Sequence, residues 1–517
     1  MIYSNDLKNG DNKQGESEWS VHLVREYTNA PQVFAKTNSL KQKSIQSMIC
    51  LLVMLFPVVG LISGFSAAVT VPMLLLTISI ALRDKIFIHL KYATIKETLL
   101  SNWKLELLFC LWCLITNFYS PNYPSSLFNY LQVCLIVLIG FIVNSNIDKL
   151  SINVTKIKIY FIIGITAAIA LFFIEYASHG IITKAFRTVF QPKSPCQFFL
   201  FILDRGCSLL SVLSWVAIAI IISYHRYLLA LIYYLIIFYL LYISDSLASS
   251  LAFTVAGLVF LTNRLLVTKS LQSVFLKLFT LAMISGSILM PIIAYKIQPY
   301  YASDHYAKFL PDSAKHRVFI WHFVAEQIIN KPILGHGFAS SRNFKIDEKQ
   351  MISYNQWTWS PLPLHPHNNI MQILLETGLI GLILFLSLIY KYIQKISNIS
   401  LVQSSKSGKI NRTKENNKIG VYSNDLENWN VKQGVSERSV HEVREYANTP
   451  QFCETNSSKQ KSIDVLNYKS VAYACFINYY IIGMISFNIW QIWWVCSSFG
   501  AMILFKLLLA KSQEYNY

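Results

Sequence analysis

Apolar residues fall along this chain in long unbroken runs, not in alternating stripes. The runs lie at about 47–82, 105–119, 127–144, 157–177, 207–222, 227–243, 246–262, 274–297, 366–390, 470–487 and 488–509. At 1.5 Å per residue, about 20 residues cross a hydrocarbon core of about 30 Å, and a helix satisfies its own backbone there. The run at 47–82 is too long for one crossing and divides near Ser63 and Gly64, which brings the total to about 12 spans. The pattern therefore predicts an all-α polytopic membrane protein. It divides into a polar segment at 1–45, nine transmembrane helices over 46–297 and a large loop at 298–365. A tenth helix at 366–390, a polar link at 391–468 and two last helices with a tail over 469–517 follow.

Charge gives the runs a direction. Basic residues collect in the links at 83–104, 145–156, 223–226, 263–272 and 391–468, whereas the turn at 120–126 is uncharged and Asp245 stands alone in its loop. Basic loops stay on the cytoplasmic side. Both termini are then expected in the cytoplasm, with 178–205 and 298–365 on the outer, periplasmic face. The net charge of +18 is explained by this loop bias, and with 54% hydrophobic and only 14% charged residues no basic soluble face for nucleic acid is expected. A transporter or flippase would show ionisable groups at mid-membrane and related halves. Few charges fall inside the runs, and no half-to-half similarity is evident.

The polar N-terminus recurs. Residues 2–45 align with 421–463 with one gap and about 30 identities, including Tyr3–Leu7 with Tyr422–Leu426 and Lys41–Ile45 with Lys459–Ile463. Two copies so far apart do not stack as a solenoid. They resemble the palindromic repeat elements that insert in frame into genes of some small bacterial genomes. Such an insert survives at a terminus or in an exposed loop. Both copies are expected to be inert, and the first to be poorly ordered.

Candidate chemistry gathers in and beside the large loop. Residues 313–330 carry Val318, Phe319, Trp321, Phe323, Val324 and Ile328 at helical spacing, which predicts an amphipathic helix along the membrane with Arg317 at its start. Gly335 and Gly337 mark a turn around His336. Trp357 and Trp359 read either as interfacial anchors or as a stacking platform for sugar rings. His365-Pro-His367-Asn368-Asn369 then opens the tenth span, with an asparagine placed to cap it and imidazoles at its positive end. Glu376, nine residues beyond His367, falls on the opposite helix face and is expected to pair within the bundle. Gly378 and Gly381 are expected to allow close helix packing. Cys110 and Cys113 form C-x-x-C inside an apolar run and read as packing; a disulfide is open to Cys196 and Cys207, but nothing else calls for it.

Arg317-x-x-x-Trp321, Pro332-x-x-Gly-His-Gly337 and His365-Pro-His-Asn368, followed after nine residues by Gly378-x-x-Gly381, resemble the O-antigen ligase and polymerase superfamily. The resemblance covers roughly 46–400 and 465–510. It implies a glycosyltransferase of the bacterial inner membrane that takes a glycan from undecaprenyl diphosphate. A ligase would pass it to lipid A–core; a polymerase would extend the glycan on its carrier. The resemblance makes His367 the candidate base and Arg317 a catalytic arginine. Arg205, His365, Asn368, His336, Trp357 and Trp359 are candidates for substrate binding. Arginines can neutralise a diphosphate leaving group, so no cofactor or metal is implied.

Overall fold

The computed structural model describes residues 42–92, 103–150, 152–190, 198–266, 268–306, 308–397 and 452–510. The first repeat copy lies outside these residues except for 42–45, the second except for 452–463, and Cys196 lies outside them too. Each of the twelve predicted spans contains a helix. In chain order the helices are α1 (Gln42–Ile62), α2 (Ala67–Tyr92), α3 (Lys104–Asn117), α4 (Ser125–Asn146) and α5 (Val154–Ala177). After a short helix, α6 (Ile181–Phe190), come α7 (Asp204–Ser223), α8 (Tyr227–Ile243), α9 (Leu247–Leu265) and α10 (Lys269–Lys296). The large loop holds α11 (Pro299–His305), α12 (Asp312–Asn330) and a hairpin of β1 (Ile352–Tyr354) with β2 (Trp357–Trp359). The last helices are α13 (Asn369–Ser397), α14 (Phe452–Ile485) and α15 (Ile492–Ala510). Among the described residues eight helices are long and apolar enough to cross a membrane, with α8 and Ile492–Leu507 as shorter apolar helices.

The bundle is organised around α7. Every residue from Gly206 to Ile222 is buried, against α5, α8, α14 and α15. Such a helix can be apolar all round, yet α7 carries Ser208, Ser211 and Ser214. Two of these hydroxyls bond to other helices: Ser208 Oγ meets Ser249 Oγ at 2.6 Å, and Asn478 Nδ2 donates to Ser211 Oγ at 3.0 Å. Hydrogen bonds between helices are what holds a bundle together where lipid gives apolar contacts no advantage. Burial of α7 also fixes its first turn, Asp204 and Arg205, at one end of the bundle.

The large loop packs on that same end. Helix α12 starts one residue before its predicted span, and Arg317 sits in its second turn. Its apolar face does not lie along the membrane. Ile320, Phe323, Val324 and Ile328 are buried with Phe338, Leu362, Ile370, Met371 and Leu374 of the loop and α13. Protein, not lipid, covers the stripe that the periodicity revealed.

Helix α13 is 29 residues long, about 43 Å at 1.5 Å per residue and longer than a hydrocarbon core. It is interrupted at Gly378, whose φ is +67°. The turn Pro332–Gly337 docks into the interruption. His336 N donates to Leu375 O at 2.8 Å, Gly337 N to Glu376 O at 2.9 Å, and Leu379 N to Pro332 O at 2.9 Å. Trp112 Nε1 of α3 takes the third freed carbonyl, Thr377 O, at 2.8 Å. Helix breaks persist where the orphaned carbonyls find such outside donors. A Cβ on Gly378 would stand 2.1 Å from Ile333 O. The glycine thus admits a loop backbone, not the neighbouring helix that its spacing suggested.

Candidate active site

Residues 360–368 are held from three sides. Trp321 Nε1 of α12 donates to Pro366 O at 3.0 Å, and His316 bonds Ser360 O at 2.9 Å. Asn368 Oδ1 accepts from Ile370 N and Met371 N, both at 3.0 Å, and caps α13. Between them His367 adopts a left-handed φ of +55°. That conformation costs a side-chain-bearing residue about 1–2 kcal/mol and persists only where the surroundings hold it. Two contacts hold it: His367 N donates to His365 Nδ1 at 3.2 Å, and His367 Nδ1 bonds Ser486 O at 2.7 Å. Ser486 belongs to the turn between α14 and α15.

These bonds assign the tautomers. A carbonyl oxygen only accepts, so His367 Nδ1 carries the proton and Nε2 keeps the lone pair. An amide N–H only donates, so His365 Nδ1 carries the lone pair. Burial pushes the His367 imidazole down to about 4, with Arg317 adding to the effect and the Ser486 bond opposing it. Burial pushes His365 lower, to about 3, followed by the effects of His367, Arg342, Arg317 and Arg205. Both rings are neutral at pH 7.

A cavity of about 320 Å³ opens at this end of the bundle, lined by Asp204, Arg205, Arg317, His365, His367 and Gln491, with Phe201 and Phe487 among its walls. Residues 112 apart in sequence supply the two arginines, one from the first turn of α7 and one from α12. The Arg205 guanidinium stands 4.6 Å over the Phe65 ring. Arg317 Nη1 donates to Ser313 O at 3.1 Å, while its buried Nε has no hydrogen-bond partner. Burial lowers the Arg317 pKa from its ordinary value and Asp204 opposes that shift. An arginine with an unused buried donor, beside a neutral imidazole, is suited to an anionic group and to a proton acceptor in one place.

Four of the predicted residues thus meet: Arg205, Arg317, His365 and His367. The others are placed elsewhere. Asn368 spends its side-chain oxygen on the helix cap. His336 Nε2 bonds Gln327 O at 2.9 Å, and its ring packs against Phe344. Trp359 stacks on His316 at 4.7 Å and joins Phe319 and Tyr354 in a small core of the loop. Trp357 is exposed on the hairpin and, like Trp359, is not a wall of the cavity. Sequence reasoning missed Asp204 and the turn Ser486–Gln491. Asp204 adjoins Arg205, which was a usable signal; the turn offered none, because no local pattern reports a distant packing partner.

Glu376 is fully buried behind the site. It accepts from Trp490 Nε1 at 2.5 Å, Ser341 Oγ at 2.6 Å, Ala339 N at 2.9 Å and Gln372 Nε2 at 3.1 Å. It ties α13, the large loop and the 486–491 turn to one another, within the bundle as its helix face implied.

Residues 209–386 match the model of the family described as O-Antigen ligase. A protein of Rickettsia felis named "Putative polysaccharide ligase" is 39% identical over 479 residues, covering 90% of this chain and 98% of its own. A namesake from Rickettsia bellii is 40% identical over 474 residues, 88% of this chain and 97% of its own. The chain belongs to the O-antigen ligase family. No solved structure matches it. Within this ligase-family chain the matched span begins in α7 and ends in α13, so it takes in Arg317, His365 and His367 and stops just short of Asp204 and Arg205. A different kind of match, 51% identity over only 53 residues, falls in a tRNA dimethylallyltransferase of Rickettsia rickettsii. A segment about as long as one repeat copy, shared with an unrelated enzyme, is what an in-frame insert leaves behind. Among the described residues no three His, Cys, Asp or Glu side chains gather as a metal cage would require.

Proposed function

We propose that this chain is an O-antigen ligase of the bacterial inner membrane, moving polysaccharide from undecaprenyl diphosphate to a hydroxyl of lipid A–core on the periplasmic face. The observation that carries the reading is the convergence of Arg205, Arg317 and a neutral, oriented His367 on one cavity at the loop-bearing end of the bundle. The basic link at 223–226, at the other end of α7 from Arg205, supports its outward orientation. The acceptor oxygen attacks the anomeric carbon, the bond from that carbon to the diphosphate oxygen breaks, and its electron pair leaves on the diphosphate. His367 Nε2 takes the hydroxyl proton. Arg205 and Arg317 hold the diphosphate and offset the charge it gains. His365 acts through His367, by accepting the backbone N–H that sets its left-handed turn.

The test is transfer by the purified chain in proteoliposomes, given a polyprenyl-diphosphate-linked oligosaccharide and lipid A–core. Glycan on lipid A–core supports the ligase. Longer glycan left on the carrier would make it a polymerase. Donor that crosses the bilayer without any new glycosidic bond would make it a flippase, and inertness in all three assays would remove the proposal.

A further inference from the structure

Asp204 is a carboxylate in the wall of a cavity that two arginines equip for an anion. Ser246 Oγ donates to Asp204 Oδ1. Ser246 Oγ is also the donor toward Ser249 Oγ at 2.9 Å, so its one hydrogen is shared between the two, and Ser249 Oγ meets Ser208 Oγ at 2.6 Å. All three serines are buried.

An anion held this way repels a diphosphate donor, so it needs a positive charge to face. Among the described residues no ion pair joins Asp204 to Arg205 or Arg317, although both cations act on it through space. The remaining positive charge is transient. As a glycosidic bond breaks, the sugar ring gains oxocarbenium character. We propose that Asp204 is a catalytic residue that faces the transferring sugar and stabilises this developing charge, with the Ser246 hydroxyl holding the carboxylate in place. It forms no bond: the acceptor oxygen still bonds to carbon, the electron pair still leaves on the diphosphate, and the proton still goes to His367. The inference rests on the glycosyl-transfer reading above, and it assigns the site a second, opposite charge requirement. Repulsion weakens binding of the donor and attraction lowers the barrier, which is differential binding of the transition state.

The test measures turnover with the carrier-linked oligosaccharide and affinity for inorganic pyrophosphate, on full-length protein in proteoliposomes. Asp204→Asn keeps the shape and an acceptor for Ser246 and removes the charge. Turnover should fall about 100-fold while pyrophosphate binds as tightly as to wild type or tighter. Turnover within about threefold of wild type would overturn the proposal, and so would loss of pyrophosphate binding in step with turnover, which marks a merely structural acid. Ser246→Ala supplies an independent readout, since it removes the hydroxyl that holds the carboxylate. Turnover should fall with pyrophosphate affinity unchanged, and turnover equal to wild type would sink the role given to this contact. A wild-type chain that transfers nothing but binds pyrophosphate would instead defeat the glycosyl-transfer reading itself.

Discussion

His367 and His365 are two residues apart and do different work. His367 Nδ1 is spent on Ser486 O, and that bond aims the other nitrogen. His367→Ala should lower turnover about 10²- to 10⁴-fold, the usual worth of a positioned general base, with donor affinity little changed; equal turnover would remove His367 as the base. The pH dependence follows from the same ring. The free enzyme needs neutral His367, which burial holds down at about 4. The acid limb of kcat/KM should therefore fall near pH 4, well below the ordinary histidine value of about 6.5. A bound diphosphate favours the protonated ring, so the limb in kcat should lie higher. Stability carries the same sign. The unfolded chain binds the proton first, so the contribution of neutral His367 is present above about 6.5 and is lost as pH falls through about 4. Melting curves across that range check it.

At the scale of the element, α13 owes its shape to its neighbours. Gly378→Ala meets a left-handed φ and the Ile333 carbonyl together. The backbone alone costs about 1–2 kcal/mol, and the contact adds to it, so a clear loss of melting temperature and of activity is expected. Glu376→Ala leaves the Trp490 indole, Ser341, Ala339 and Gln372 donors without their acceptor. Buried donors left in that state cost about 1–3 kcal/mol each. Glu376→Gln, which keeps an oxygen acceptor, should melt between the two. The elements themselves were legible: apolar runs of 15 or more residues announced the bundle helices, and the stripe from Val318 to Ile328 announced α12 to within a residue. What covers that stripe was not legible, since lipid and protein reward the same periodicity. The break in α13 was not legible either, because Gly378 and Gly381 read equally as small residues for helix packing.

At the scale of the whole molecule, the site draws on α7, α12, the loop and the final turn. Sequence placed the two arginines and two histidines as separate candidates, with a family resemblance to link them. Asp204 and Ser486 entered only when α7 and the 486–491 turn were seen side by side. The polar link between α13 and α14 supplies none of these groups, and its repeat copy matches the length of a segment shared with an unrelated enzyme. Deletion of residues 421–463, which takes part of the link and the start of α14, should leave transfer within about threefold of the full chain, as expected of an inert insertion. A dead deletion variant that still inserts in the membrane would show that the repeat has been recruited.

The bond from His367 Nδ1 to Ser486 O spans 119 residues of sequence. It has a consequence during synthesis. A nascent chain that has released α13 already contains both arginines and both histidines, yet its imidazole has no acceptor and Glu376 has no Trp490. On the proposed reading, the reaction centre is completed only when the last two helices insert. A ribosome that stalls in the polar link therefore leaves a membrane bundle with every recognisable motif and no working site. Catalytic competence thus becomes a report that the whole chain has been made.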